Sequence, residues 1–541
     1  MIRLLIVASL IVTGCAHAQS APPASPPASP AGRSATPALV VVVTVDQLTP
    51  ALLDRWRDQL TGGLRRLTTE GAVFTQAYHD HAITETAPGH ASILSGRFPY
   101  STGIAANLTG VNTNENPLLG ADGMGASPAR FVGTTLADWM TTADAETRVL
   151  SVSRKDRGAI LPIGRGKHAV FWYAPSNGTF TNSTWYGTQL PDWVTRFNDE
   201  QPVMSRFAGR RWDLLLTDSA YAEPDSVIFE SFGQSFVFPY DMPSDTLTAT
   251  NMLISFPFMD ELTLDFAWRG VQEMQLGQRG HTDLLAVSLS TTDAVGHRWG
   301  PESREMHDHI LRLDRSLGQF IDSLTERLGA DNVIIALTSD HGGAPSPDMR
   351  SVQVDNTGAR RVMLDDFQPA ISASAARATQ ARFPLEALDF DGFTLTVDRT
   401  MIRGRDRNIR DIAESFAKSA RTVPGVLRVD LIDDLAKSDT VQDAIARRWL
   451  HMFRPSGDVA AVVTLHPYSV FGRGNVATHG SPHDYDAHVP LIFWGAPFRT
   501  VRDDHFVRIV DLAPTLALVL GVRIAEKIDG RAIPEALRET P

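Results

Sequence analysis

The sequence predicts an α/β protein built on a doubly wound, mostly parallel sheet flanked by helices. Three short apolar runs carry that reading, and each leads to an acidic residue. Residues 38–45 (ALVVVVTV) lead into Asp46, 284–289 (LLAVSL) lead toward Asp293, and 333–338 (VIIALT) lead into Asp340. Short, continuous, β-branched-rich runs mark strands buried on both faces, as in a sheet covered by helices. A fourth such run, 489–494, follows the His479 region.

Helix-like segments lie between the runs. Residues 50–66 space Leu52, Leu53, Trp56, Leu60 and Leu64 at near-helical intervals, and 304–328 do the same with Met306, Ile310, Leu313, Leu317, Ile321 and Leu324. Alternation of strand and helix gives the doubly wound class, in which ligands bind beyond the carboxyl ends of the strands. Two stretches interrupt it. Residues 105–270, rich in Gly, Asn, Trp and Pro, read as a substrate-side insertion, and 345–475 read as a smaller α/β cap with strand-like pieces at 393–397 and 426–429. The catalytic domain is placed at 38–541.

The N-terminus reads as an export signal. Arg3 precedes an apolar run over residues 4–12, too short to span a membrane and suited to a signal-peptide core. Cleavage after Ala18, in the small-x-small site Ala16-His17-Ala18, would release the protein with residues 1–18 removed. Residues 12–15 (VTGC) resemble a bacterial lipobox, in which Cys15 would carry a lipid anchor to a membrane. Both routes are open, and both place the protein in the periplasm or outside the cell. The Pro/Ala/Ser tract over 19–37 is a spacer.

Cys15 is the only cysteine, so the mature chain has no disulfide, no thiolate ligand and no cysteine nucleophile. A transition metal must then be held by His and carboxylates. The net charge of −12, with no long basic run, excludes a nucleic-acid-binding surface.

The motifs follow from that restriction. Asp293 and His297, four residues apart, share one face of a helical turn and reach one cation. Asp340-His341-Gly342-Gly343 joins adjacent ligand types to a freely turning backbone. His479-Gly480-Ser481-Pro482, with His483 close by, supplies a further imidazole. With Asp46 the set gives enough N/O donors for two divalent ions about 4 Å apart, the arrangement that activates attacking and leaving oxygens together. In residues 84–96 (TETAPGHASILSG) a loop enters a helix at Thr86, where unpaired N–H groups favour a phosphoryl group. A neutral hydroxyl needs a base or a metal to act as nucleophile. The same residue could simply cap the helix.

These residues, from about Val40 to about Trp494, resemble the alkaline phosphatase superfamily, in the branch of type I phosphodiesterases and threonine-dependent bacterial alkaline phosphatases. The resemblance implies one zinc on Asp46, Thr86, Asp340 and His341 and another on Asp293, His297 and His479, with Ca2+ or Mg2+ allowed elsewhere. It ranks His479 above His483, since the family places this ligand just before a glycine. Thr86 at the nucleophile position separates the chain from sulfatases, which convert a Cys or Ser. It aligns Asn107 with the family's phosphate-binding asparagine, and Lys155 and Arg157, in 153–160 (SRKDRGAI), with the Lys-x-Arg pair of the monoesterases. A monoester dianion carries one more negative charge than a diester, which a point-charge Lys and a planar Arg fork can meet. The implied activity is hydrolysis of small phosphate monoesters in two in-line steps through phosphothreonine, with an alkaline optimum and a role in phosphate scavenging. A phosphodiesterase of the same branch and a noncatalytic exported metal-binding protein are the alternatives.

Overall fold

The computed structural model describes residues 36–349, 358–402 and 408–538. The export signal, Cys15 and the spacer up to residue 35 lie outside the described residues. A nine-stranded central sheet runs in the order Val501–Arg508, Ala72–Tyr78, Leu491–Trp494, Val333–Thr338, Leu39–Val45, Asp283–Leu289, Val149–Ser153, Ala169–Ala174, Thr179–Thr181. Leu491–Trp494 and Thr179–Thr181 run antiparallel to their neighbours and the other strands share one direction.

The three runs singled out in the sequence lie side by side at the centre. Val43 pairs with Val287 on one side and Leu337 on the other. Alternate side chains go to opposite faces, as the pleat requires. Val41, Val43, Val287, Ile335 and Leu337 pack with Met306, Ile310, Leu317 and Ile321 of the Arg304–Leu328 helix. Val40, Val42, Leu284, Ala286 and Ile334 pack on the other face with Ala87 and Ala91 of the Thr86–Ile93 helix and Leu512 and Leu516 of the Leu512–Leu520 helix. Each fully buried Leu or Ile contributes about 1.5–3 kcal/mol, so two apolar layers fix the strand register and with it the strand ends.

Residues 50–66 form no single helix. The chain makes Pro50–Arg55, breaks, and restarts at Gly63–Glu70. The break is set from a distance: Asp314, on the Arg304–Leu328 helix, accepts the backbone N–H groups of Thr61, Gly62 and Arg65 at 2.7, 2.6 and 3.0 Å. A carboxylate from another helix thus caps the restart.

The stretch 105–270 contributes Val149–Ser153, Ala169–Ala174 and Thr179–Thr181 to the central sheet, together with the Phe258–Glu273 helix and a small ribbon of Arg211–Trp212 with Tyr240–Asp241. Within 345–475 the described residues form an antiparallel sheet, ordered Leu388–Phe390, Thr394–Val397, Val459–Leu465, Val426–Leu431. The helices Gln368–Gln380 and Ile409–Ala420 belong to this unit, whose core includes Phe367, Phe390, Phe416, Val429 and Val463. The Ala444–Met452 helix joins it to the central body. Ala446, Trp449 and Met452 pack on Ala82 and Ile83, and Arg447 meets the buried carboxylate of Asp80, which also holds Arg508. That joint sits just before the Thr84–Thr86 loop and sets the cap over the strand ends.

Candidate active site and metal centre

Parallel strands deliver their following residues to one edge. Asp46 continues its strand, donating its N–H to the Leu289 carbonyl at 2.9 Å. Asp340 and His341 follow Val333–Thr338, and Asp293 and His297 lie on the Thr291–Trp299 helix that follows Asp283–Leu289. The result is two groups whose donor atoms lie within 4.8 Å of one another: Asp46, Asp340 and His341, all buried, and Asp293, His297 and His479. The rings of His341 and His479 stack at 3.6 Å between centroids and so join the groups. His483 belongs to neither, since its Nε2 contacts the Leu465 carbonyl at 2.9 Å.

The histidines are oriented by the backbone. Nδ1–H of His297 donates to Ala477 O at 2.8 Å, that of His341 to Gly342 O at 2.9 Å, and that of His479 to Thr84 O at 2.7 Å. A carbonyl only accepts, so each Nδ1 carries the hydrogen and each Nε2 is left to the site, as metal-ligating histidines require. Nε2 of both His297 and His479 faces Asp293 Oδ1, at 3.1 and 3.4 Å.

Thr86 opens the Thr86–Ile93 helix, and the helix lies directly on the Asp340 strand end. A Cβ on Gly89 would come within 2.0 Å of the Asp340 carbonyl oxygen, so only glycine permits this approach. Lys155 emerges where Val149–Ser153 ends. Its buried ammonium lies 2.5 Å from Asp46 Oδ2 and 2.8 Å from Asp293 Oδ2, and donates to Thr86 Oγ1 at 3.1 Å. Asn107 is tied to the same loop: its Oδ1 accepts the Ala87 N–H at 2.8 Å and its own N–H donates to Glu85 Oε2 at 2.7 Å. The amide nitrogen of Asn107 is thereby turned away from Ala87. Arg157, half-buried at the start of the Asp156–Ile160 helix, reaches Asp156 at 3.5 Å and leaves its Nε unpaired.

The electrostatics favour cations. Burial, then repulsion from Asp293 and Asp340, pushes Asp46 up to about 7 despite Lys155. Burial opposes ionisation of Asp340 and Asp293 too, but His341 and His90 beside the first, and His297 and Lys155 beside the second, hold both well below the usual carboxylate range. Burial also keeps the His341 ring neutral, the form that ligates metal. Asp46 Oδ1 and His341 Nε2 are buried with no hydrogen bond, while Asp46 Oδ2 meets only the Lys155 ammonium and Asp340 Oδ2 lies 3.2 Å from His90 Nδ1. Unpartnered atoms in the first group, and the His297 and His479 Nε2 atoms aimed at Asp293 in the second, fit a pair of divalent ions. A third grouping, Asp503, Asp504 and His505, is largely exposed on an edge strand.

Two buried participants left no mark in the sequence. Gln47, at φ 67°, donates Nε2–H to Asp293 Oδ1 at 3.3 Å and its backbone N–H to Asp340 Oδ1 at 3.2 Å, linking the two groups. His90 lies beneath Thr86, with Nδ1 2.9 Å from Thr86 O and 3.2 Å from Asp340 Oδ2 and Nε2 2.9 Å from Ser288 Oγ.

Comparison with known proteins places this geometry. The family model for type I phosphodiesterase / nucleotide pyrophosphatase matches residues 40–486. Alkaline phosphatase PhoK of Sphingomonas sp is 31% identical, over 92% of this chain and 91% of its own. A protein named calcium-transporting ATPase from Myroides odoratus is 30% identical, over 93% and 95%. The crystal structure of wild-type alkaline phosphatase PafA superposes with a TM-score of 0.84 at 26% identity, covering 93% of this chain and 99% of that one. No helix among the described residues is long and apolar enough to cross a membrane. The chain belongs to the type I phosphodiesterase / nucleotide pyrophosphatase family of the alkaline phosphatase superfamily.

Proposed function

We propose that the protein is an exported, zinc-dependent alkaline phosphatase that hydrolyses phosphate monoesters through a phosphothreonine on Thr86. The observation that carries the reading is the buried Lys155 ammonium on Thr86 Oγ1, a positive charge beside the nucleophile where the extra charge of a monoester dianion falls. Asp46, Thr86, Asp340 and His341 would hold one zinc and Asp293, His297 and His479 the other, and the ions would supply Lewis acidity, the first to the attacking and the second to the departing oxygen.

The chain's own groups do the rest. Lys155 donates to Thr86 Oγ1 and so favours its deprotonated form. Thr86 Oγ1 attacks phosphorus in line with the ester oxygen, that P–O bond breaks, and the departing oxygen takes a proton from solvent. Asn107 offers its amide N–H to one nonbridging oxygen and Arg157 its planar fork to the others. Water then attacks phosphorus, the Thr86 Oγ1–P bond breaks, and phosphate leaves. Positioning and charge stabilisation supply most of the acceleration, since a loose phosphoryl transition state needs little covalent help.

The family description favours one second reading, a phosphodiesterase. Hydrolysis of p-nitrophenyl phosphate and bis-p-nitrophenyl phosphate, side by side, with zinc and with chelator, separates the two. The proposal expects zinc-dependent preference for the monoester, lost on the order of 10³-fold or more in Thr86→Ala. Preference for the diester would move the assignment to phosphodiesterase. Export rests on the apolar run over 4–12; the mass of the mature N-terminus distinguishes release after Ala18 from lipidation at Cys15. Phosphate scavenging predicts that expression rises on phosphate starvation, and unchanged expression would count against it.

A further inference from the structure

We propose that a cavity of about 170 Å³ beside His479 is the leaving-group pocket and that it takes one uncharged aromatic ring, making aryl phosphates the favoured monoesters. The inference rests on the phosphomonoesterase reading above, in which the departing oxygen lies on the side of Asp293, His297 and His479. His479 borders the cavity, and so does Glu85, the residue before Thr86. A group carried on the departing oxygen therefore meets this cavity.

Its walls select for a ring. The cap contributes Phe393, Val463, Leu465 and Phe471. Phe393 and Phe471 meet edge to face at 4.7 Å and both are half-buried, leaving aromatic surface for an incoming ring. The volume is close to the ~150 Å³ of an apolar cavity that holds benzene, so it fits a single ring. Much of the polar wall is already engaged: Ser481 Oγ donates to Asp486 Oδ2 at 2.6 Å, Tyr485 OH accepts from Tyr468 N at 2.8 Å, and Ser469 Oγ accepts from Arg360 N at 3.2 Å. One orphaned acceptor remains, Asp486 Oδ1.

The wall that holds Glu85 selects against charge. Gly480 lines the cavity at φ 113°, and a Cβ on it would lie 3.8 Å from Phe393 Cζ and 4.0 Å from Glu85 Cγ. Glycine suits that backbone and keeps the gap between the two side chains open. Glu85 also lines the cavity, its Oε2 accepting the Asn107 N–H at 2.7 Å, and a carboxylate on that wall repels leaving groups that carry phosphate or carboxylate.

The test uses nonhydrolysable probes on the zinc-loaded protein: phenylphosphonate, methylphosphonate and inorganic phosphate, with dissociation constants from calorimetry. Phenylphosphonate is expected to bind about tenfold or more tighter than methylphosphonate, the effect of burying one ring. Phe393→Ala and, separately, Phe471→Leu should each cut that ratio at least about threefold. Methylphosphonate affinity should stay within about twofold, which also reports that the variants are folded. Equal affinity for the two phosphonates in the unaltered protein, or a ratio that neither substitution moves, would overturn the pocket while leaving the phosphatase reading intact. If none of the three probes binds, the phosphomonoesterase reading itself fails and the pocket falls with it.

Discussion

At the carboxyl ends of the central strands, Asp46, Asp293 and Asp340 share one buried space with the Lys155 ammonium and three imidazoles that turn Nε2 inward. Beneath the loop that precedes Tyr240, Glu230 and Glu305 share another with a phenol. There Tyr240 OH donates to Glu305 Oε1, and Oε2 of both glutamates is buried without a partner. The nearby cations are committed elsewhere: Arg304 pairs with Asp218 at 2.6 Å, and Arg298 donates to Ser231 Oγ at 3.2 Å. The first space answers like charge with cations and the second with protons. Burial and mutual repulsion push Glu230 up to about 9, and burial pushes Glu305 up to about 7. Crowded carboxylates therefore mark a metal centre only where nitrogen lone pairs are aimed in with them.

The largest expected effect breaks the first arrangement. Lys155→Met leaves three buried carboxylates without their ammonium, a loss of about 3–5 kcal/mol in the chelated protein. Its melting temperature in chelator should fall by several degrees, and saturating zinc should recover most of the fall, because a ligand that binds only the folded state stabilises it. Monoester kcat/KM should drop on the order of 10²-fold or more, with a much smaller drop for a diester. A variant that melts like the unaltered protein in chelator would mean that Lys155 does not offset the acidic cluster.

A smaller effect tests the second arrangement. A carboxyl whose folded pKa is raised binds a proton in the native state that the unfolded chain has released, so stability falls as pH rises. For Glu230 that loss runs from the ordinary value of 4.5 to about 9. Glu230→Gln keeps the shape and never ionises. It should match the unaltered protein at pH 4 and exceed it by about 1–3 kcal/mol at pH 9, read from urea midpoints. Parallel stability curves across that window would rule out a protonated Glu230.

What was legible in the chain follows the same division. Asp46, Asp293 and Asp340 could be read because each stands at or just past the end of a continuous strand run, and His297 and His341 because they sit within one turn or one residue of those acids. His479 could be named as a further imidazole, but its preference over His483 and its assignment to a group needed the family resemblance, since a whole cap separates it from that group. Gln47 and His90 were invisible, because they act through a left-handed backbone and a contact to Ser288 that no local pattern encodes. The strands at 394–397 and 426–431 were readable as apolar runs, but their antiparallel pairing through Val459–Leu465 was not. The break in 50–66 depends on Asp314, far along the chain. Glu230 and Glu305 carry no motif either; they meet because a loop passing through Ser231 and Phe232, both at positive φ, folds back on the Arg304–Leu328 helix.

The smallest expected effect separates proton sharing from packing at that second space. Burial raises Glu305, whereas the Tyr240 hydroxyl, bonded to its carboxylate, favours the ionised form. Tyr240→Phe should therefore push Glu305 further above 7. Its cost should be slight at pH 5, where the native carboxyl is protonated with or without the phenol, and about 1–2 kcal/mol at pH 8.5, where the missing bond is felt in full. Urea midpoints at the two pH values give the answer. A cost equal at both would make Tyr240 a packing residue, whereas a cost that grows with pH, and shrinks when Glu230→Gln removes the neighbouring charge, would show that the three groups titrate as one unit.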